Sequence, residues 1–167
     1  MKIKTDLQYI ARMGKIRDDE NWEFRNFLKQ IDMDGDVLDR LVHHITAEVS
    51  AQIDCTKCGN CCKQIPPILD QDDVSRFAIG LDLPILEFEG DFLKSADEPA
   101  KFQFNALPCP FLKENRCTNY EHRPHDCRSY PHLNKDDFVF RLWGVLANYS
   151  ICPIVFNVYE RLKEELW

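Results

Sequence analysis

Residues 55–63 read "CTKCGNCCK", four cysteines in nine positions with the last two adjacent, and four more follow at Cys109, Cys117, Cys127 and Cys152. A long regular helix or a broad sheet is poorly served by such a run. Thiols spaced C-x-x-C-x-x-C can instead wrap a loop around one centre, as in the bacterial ferredoxin run. The other four sit in stiff contexts, "PCPFL", "NRCTNY", "RPHDCRSYP" and "SICPI". Proline fixes φ and removes a backbone donor, so it aims a neighbouring thiolate in a defined direction. Metal ligands need that, because coordination tolerates little error in distance.

The environment decides between metal and disulfide. The chain has 167 residues, 44% of them apolar and 29% charged, with a formal net charge of −7. It has no apolar run suited to a signal peptide or a membrane span, so the expected compartment is the cytoplasm, where thiols stay reduced. Eight cysteines there read as metal ligands before they read as disulfides. The acidic balance, with no clustered Lys and Arg, argues against nucleic acid and anionic membrane as partners.

Hydrophobic spacing places helices on both sides of the cysteine run. Phe24, Phe27, Leu28 and Ile31 repeat at helical spacing behind Asp18, Asp19 and Glu20, which suit the positive end of the dipole. The following "DMDGD" has its glycine too early for a calcium loop and reads as a turn between helices. A second helix carries Leu38, Leu41, Val42, Ile45 and Val49, with Asp36 as its expected N-cap. Beyond the cysteine run, Asp70 is placed to cap a helix bearing Val74, Phe77 and Ala78 and ending at Gly80. Asp82 and Pro84 can open another with Ile85, Leu86 and Phe88. Phe102 and Phe104 alternate with polar residues as a strand does, and "KENR" is a turn between two cysteines. The stretch "DFVFRLWGVL", 137–146, reads as a second strand from its β-branched and aromatic content. Val155, Val158, Leu162 and Leu166 mark a closing helix. The expected fold is α+β, mostly α, with helices packed around an irregular Cys-rich metal centre and a minor β-hairpin. It is expected as a single domain, 1–167, made of a helical part (1–54), a cysteine-cluster core (55–131) and a strand plus closing helix (132–167).

Zinc sites usually show two separated C-x-x-C knuckles, whereas this chain has one such segment plus singletons. Adjacent Cys61 and Cys62 point in different directions in most backbone conformations, so they can serve one centre or two. A thioredoxin-like pair lacks its βαβ surroundings. His43 and His44 read as solvated or core histidines. His122, His125 and His132 read as surface histidines that flank Cys127 closely enough to substitute as ligands or shuttle protons, and Tyr120 and Tyr130 as core aromatics. Arg123 and Arg128 flank Cys127 and are candidates to hydrogen-bond thiolate sulfur and offset the negative charge of a cluster or of tetrathiolate zinc.

The composite of "CTKCGNCCK", "CPFL" and "CTNYEHRPHDCRSYP" resembles the YkgJ-like cysteine-cluster family, a zinc- or iron-chelating C-x-x-C-x-x-C-C domain, over Cys55 to Pro131. The resemblance implies Cys55, Cys58, Cys61, Cys62, Cys109, Cys117 and Cys127 as metal ligands, with Cys152 added by a C-terminal extension found in part of the family. A better-described relative, flagellin lysine-N-methylase, carries a similar motif and is linked to an iron–sulfur centre. The cofactor expected is thus an iron–sulfur cluster, 4Fe–4S favoured, or zinc.

Three function classes follow. The first is a metal-binding protein acting in metal handling, redox or sensing. The second is a module whose metal staples a loop-rich fold and serves interaction with a protein partner. The third is an enzyme that modifies a protein or peptide substrate. No Ser-His-Asp arrangement, P-loop, dinucleotide fingerprint or H-E-x-x-H motif is present, so catalysis would rest on the cysteines alone.

Overall fold

The structure is a computed structural model describing residues 2–167. In chain order the helices are α1 (Leu7–Ile16), α2 (Asp18–Gln30), α3 (Gly35–Ser50), α4 (Cys55–Cys58), α5 (Asn60–Gln64), α6 (Gln71–Gly80), α7 (Ile85–Phe92), α8 (His125–Ser129), α9 (Leu142–Tyr149) and α10 (Pro153–Leu166). The strands are β1 (Ile68–Leu69), β2 (Leu93–Ser95), β3 (Phe102–Phe104), β4 (Leu112–Lys113) and β5 (Arg116–Cys117). With ten α-helices and five strands of two or three residues among the described residues, the fold is α+β and mostly α. Two compact units emerge: a helical one from residues up to Asp54 with Pro131–Trp167, and a cysteine unit, Cys55–Tyr130.

In the helical unit, Asp6 opens α1 by accepting the Tyr9 N–H at 2.8 Å. The N-cap of α3 is Asp34, not Asp36: its carboxylate accepts the Asp36 N–H at 2.9 Å, which leaves Asp36 in the first turn. Aspartates two apart can each play the cap, and Gly35 already adopts helical geometry here. Leu38, Val42, Ile45 and Val49 form the buried stripe of α3, which packs against α10. The buried side of α10 is broad, taking in Ile154, Val155, Phe156, Val158, Tyr159 and Leu162. Tyr159 meets Phe24 of α2 edge-on at 5.2 Å.

That packing takes charged groups out of water, so each needs a partner. Lys163, buried on α10, donates to Asn21 Oδ1 at 2.6 Å and Glu20 Oε1 at 2.7 Å, and lies 3.0 Å from Glu160. Glu160 also pairs with Arg17 and accepts the Tyr149 hydroxyl at 2.7 Å. Burial nonetheless pulls the Lys163 ammonium below the usual lysine range.

Residues 138–146 are helical, and 137–146 is not a strand. Asp137 adopts a left-handed conformation, φ 61°, and leads into a 3₁₀ turn, Phe138–Arg141, that runs on into α9. The buried Asp39 carboxylate of α3 accepts the Asp137 N–H at 2.7 Å and the Phe138 N–H at 3.0 Å. This carboxylate satisfies the first orphan donors of the incoming turn, as a cap does. Phe138, Leu142, Val145 and Tyr149 are buried at helical spacing, a pattern that outweighs the strand propensity of the individual residues.

The cysteine unit is built on an aromatic cluster. The antiparallel sheet has order β1-β3-β2, with Phe104 opposite Leu93. Phe77 of α6 stacks on Phe88 of α7 at 5.4 Å and meets Phe111 edge-on at 4.8 Å, while Phe104 lies 5.4 Å from Phe111. Strands this short cannot hold a fold by themselves. The phenylalanines, buried at about 2–3 kcal/mol each, carry the unit's apolar stabilisation. Asp70 caps α6 in a reciprocal box with Asp73, as its sequence position suggests. The β4–β5 hairpin turns at Glu114 and Asn115, both at positive φ, in the two-residue geometry that suits strand twist.

Asp39→Ala would leave the buried Phe138 N–H unpaired and remove the partner of the Asp137 N–H, and should lower unfolding stability by about 1–3 kcal/mol. Urea melts of the two chains check this, and an unchanged midpoint and slope would remove the capping role.

Candidate metal centre

Gly59 separates Cys58 from Cys61 at φ +58°, and a Cβ there would stand 2.8 Å from Asn115 Cα and 2.9 Å from its carbonyl oxygen. Both the left-handed conformation and the close approach require glycine. The cysteine run is thereby seated on the β4–β5 turn. Asn115 Nδ2 donates to the Lys57 carbonyl at 3.3 Å, and its Oδ1 accepts the Lys63 ammonium at 2.7 Å. The adjacent Cys62 is tied to a more distant segment, because its carbonyl accepts the Cys109 N–H at 2.7 Å.

Cys127 arrives on α8, which two carboxylate contacts position. Asp73 of α6 accepts the His125 N–H at 2.9 Å and pairs with Arg76, whose guanidinium also donates to the Arg123 carbonyl at 3.4 Å. Asp126 accepts the Ile68 N–H of β1 at 3.1 Å. Cys109 and Cys117 pack against the phenylalanine cluster, Cys117 lying directly opposite Leu112 in the hairpin.

These elements bring Cys62, Cys109, Cys117 and Cys127 within reach of one another's charge. Cys61 and Cys62 have their sulfurs 4.0 Å apart. Burial pushes the Cys109 thiol up to about 11, and neighbouring Cys62 and Cys117 add to it. Burial likewise raises Cys117 and, well beyond the ordinary thiol range, Cys127. Cys62 is the exception at about 7: the Cys61 thiol bonds to it, and Arg123 and Lys63 add positive charge. The first negative charge thus settles on Cys62 and opposes a second on its neighbours.

Sulfur-directed backbone donors recur at two positions. The Phe111 N–H stabilises a Cys109 thiolate, and the Asn119 N–H does the same for Cys117, each two residues beyond its cysteine. Donors placed this way orient a ligand and lower the negative charge on its sulfur. Outside Asp70–Ala100, the unit's sequence carries seven Lys and Arg against three acidic residues, and of these Arg123 and Lys63 act on the Cys62 thiol. Among the described residues no three Cys, His, Asp or Glu side chains are already set in metal-ligand geometry. The donor set nevertheless suits a thiophilic cation. Desolvated thiols that hinder one another's ionisation, with backbone and guanidinium groups placed for the thiolate form, are what a divalent or cluster metal would resolve.

The remaining sequence candidates fall as follows. Cys55 is exposed and Cys58 half-buried, both on α4. Cys152 belongs to the helical unit, where it is buried as the N-cap of α10 with its N–H bonded to the Asn148 carbonyl at 2.9 Å. Arg123 lies over the Tyr120 ring at 3.2 Å, which leaves Tyr120 exposed under a cation rather than in the core. Arg128 is exposed on α8. His122 bonds Asn119 Oδ1 at 3.1 Å and is packed against Gly80, while His44 pairs with Glu48. Sequence reasoning passed over Gly59, Asn115, Lys63 and Asp73. A lone Gly inside the cysteine run and an Asn in the turn were the available signals.

Gly59→Ala should cost about 1–2 kcal/mol from the left-handed conformation alone, with the Asn115 contact adding to it. Faster hydrogen exchange over residues 55–64 and a lower melting temperature are the readouts, and wild-type values for both would refute the seating.

No curated protein and no solved structure matches the chain. The family described as "CxxCxxCC: Putative zinc- or iron-chelating domain" matches residues 54–144. That match takes in all seven cysteines of the cysteine unit and more than half of the chain, and the protein belongs to this CxxCxxCC family of zinc- or iron-chelating domains.

Proposed function

We propose that this protein binds iron, as an iron–sulfur centre, through the thiolates of its cysteine unit, and acts in metal handling, redox or sensing. The observation carrying the reading is the electrostatic proximity of Cys62, Cys109, Cys117 and Cys127. Cys55, Cys58 and Cys61 supply further donors, so the unit offers seven thiols where one tetrahedral ion takes four. That surplus favours a polynuclear centre over a single zinc. Bound there, a cluster would supply one-electron chemistry. Arg123 and Lys63 would offset part of its negative charge, and the Phe111 and Asn119 N–H groups would tune its sulfurs.

A second reading, a metal that only staples the fold, is favoured by the shortness of the elements around the cysteines. α4 has four residues, α5 has five, and β4 and β5 have two each. Metal binding would then be folding free energy directly.

Anaerobic purification with elemental analysis and a visible spectrum tests both. The iron reading expects a brown protein whose broad absorbance bleaches with dithionite, and Cys127→Ser should lose it. Stoichiometric zinc in a colourless protein whose cysteine unit unfolds on chelation would establish the staple instead. Neither metal after anaerobic preparation would overturn both.

A further inference from the structure

The charge of the cysteine unit is segregated. Between Asp70 and Ala100 there are nine acidic and two basic residues, net −7, equal to the net charge of the whole chain. This stretch is the α6–α7 hairpin and β2, and its inner side is the phenylalanine core. Its outer side is not simply polar. Leu86 is 83% exposed, Ile79 is 70% exposed and Ile85 is 39% exposed. Ile79 stands in the last turn of α6, and Ile85 and Leu86 in the first turn of α7, so all three adjoin the 81–84 turn. Internal packing uses Phe88, Leu81 and Leu83 of the same segment and leaves these three aside.

Gly90 adds a separate observation. It lies four residues after Leu86 and therefore on the same face of α7. A Cβ at Gly90 would meet nothing within 4 Å, so nothing in the chain asks for glycine there. Glycine inside a helix is destabilising relative to alanine, and its use is to let another chain approach closely. Exposed Asp82, Glu87 and Asp91 border this strip.

We propose that the outer face of the α6–α7 hairpin, with Ile79, Ile85, Leu86 and Gly90 at its centre, is a docking surface for a basic amphipathic segment of a partner protein. Apolar side chains of the partner cover Leu86 and Ile79, its backbone closes over Gly90, and its Lys or Arg side chains answer Asp82, Glu87 and Asp91. The acidic rim opposes an anionic membrane and a second copy of the same acidic face. The inference does not depend on which metal the thiolates take.

The test uses the metal-loaded full chain and a fluorescent 14-residue helical peptide of alternating lysine and leucine faces. Controls are the same peptide with glutamate for lysine, zwitterionic lipid vesicles, and sedimentation of the protein alone. The lysine peptide is expected to bind, with affinity falling as salt rises past ~0.15 M, where exposed charges are screened beyond ~8 Å. The double variant Ile79→Ser, Leu86→Ser should weaken binding roughly tenfold or more, a loss of about 1.4 kcal/mol or greater. Gly90→Gln should weaken it also, and all variants should keep wild-type metal content and melting temperature or better. Binding indifferent to these substitutions, equal binding of the glutamate peptide, vesicle binding, or self-association abolished by Leu86→Ser would each overturn the proposal.

Discussion

A thiol taken out of water resists ionisation, and a thiolate beside it resists it further; the cysteine unit is organised around that conflict. Cys109, Cys117 and Cys127 are all raised, while Cys62 beside them is lowered, by Cys61 first, then by its own backbone N–H, and then by Arg123 and Lys63. Left as thiols, these groups contribute little beyond modest apolar packing. A cation among them offsets both the burial penalty and the mutual repulsion of the thiolates. The backbone N–H groups of Phe111 and Asn119 and the positive charges of Arg123 and Lys63 are placed for the ionised form.

The supporting structure follows from that need. Four cysteines come from four separate segments, and each segment is fixed by a specific contact rather than by long regular structure. Gly59 lets the first loop settle on Asn115, the Cys62 carbonyl holds Cys109, the hairpin holds Cys117, and Asp73 with Asp126 holds the helix of Cys127. The phenylalanine cluster forms the apolar side against which Cys109 and Cys117 rest. The helical unit solves a different problem, fitting the buried charges of Lys163 and Glu160 into an apolar interior by pairing them.

Legibility in the sequence tracked how local the determining interaction is. The helices from Asp18, Asp70 and Pro153 were readable because their start signals, an acidic first turn, a capping aspartate and a first-turn proline respectively, and their apolar stripes lie within one segment. The strand assigned to 137–146 failed because β-branched and aromatic content was weighed above the helical spacing of Phe138, Leu142, Val145 and Tyr149, and because the Asp39 carboxylate that caps the turn is about a hundred residues away in sequence. α1 is the exception: it was missed although its apolar spacing and its Asp6 cap are both local. At the site, the cysteines announced themselves by spacing, and Arg123 by its place beside them. The groups that hold them, Asn115 and Asp73, are unremarkable residue types whose importance comes only from what folding brings next to them.

The most direct measurement is the number of protons released when the reduced, metal-free protein binds zinc at pH 7, read by calorimetry in buffers of different ionisation enthalpy. Cys109, Cys117 and Cys127 are protonated there and Cys62, at about 7, is half ionised. A centre formed by these four thiolates should release roughly three to four protons per metal, and its affinity should fall steeply as the pH is lowered. Release of fewer than one proton per metal would mean that the metal meets ready-made thiolates or other donors, and would contradict the account.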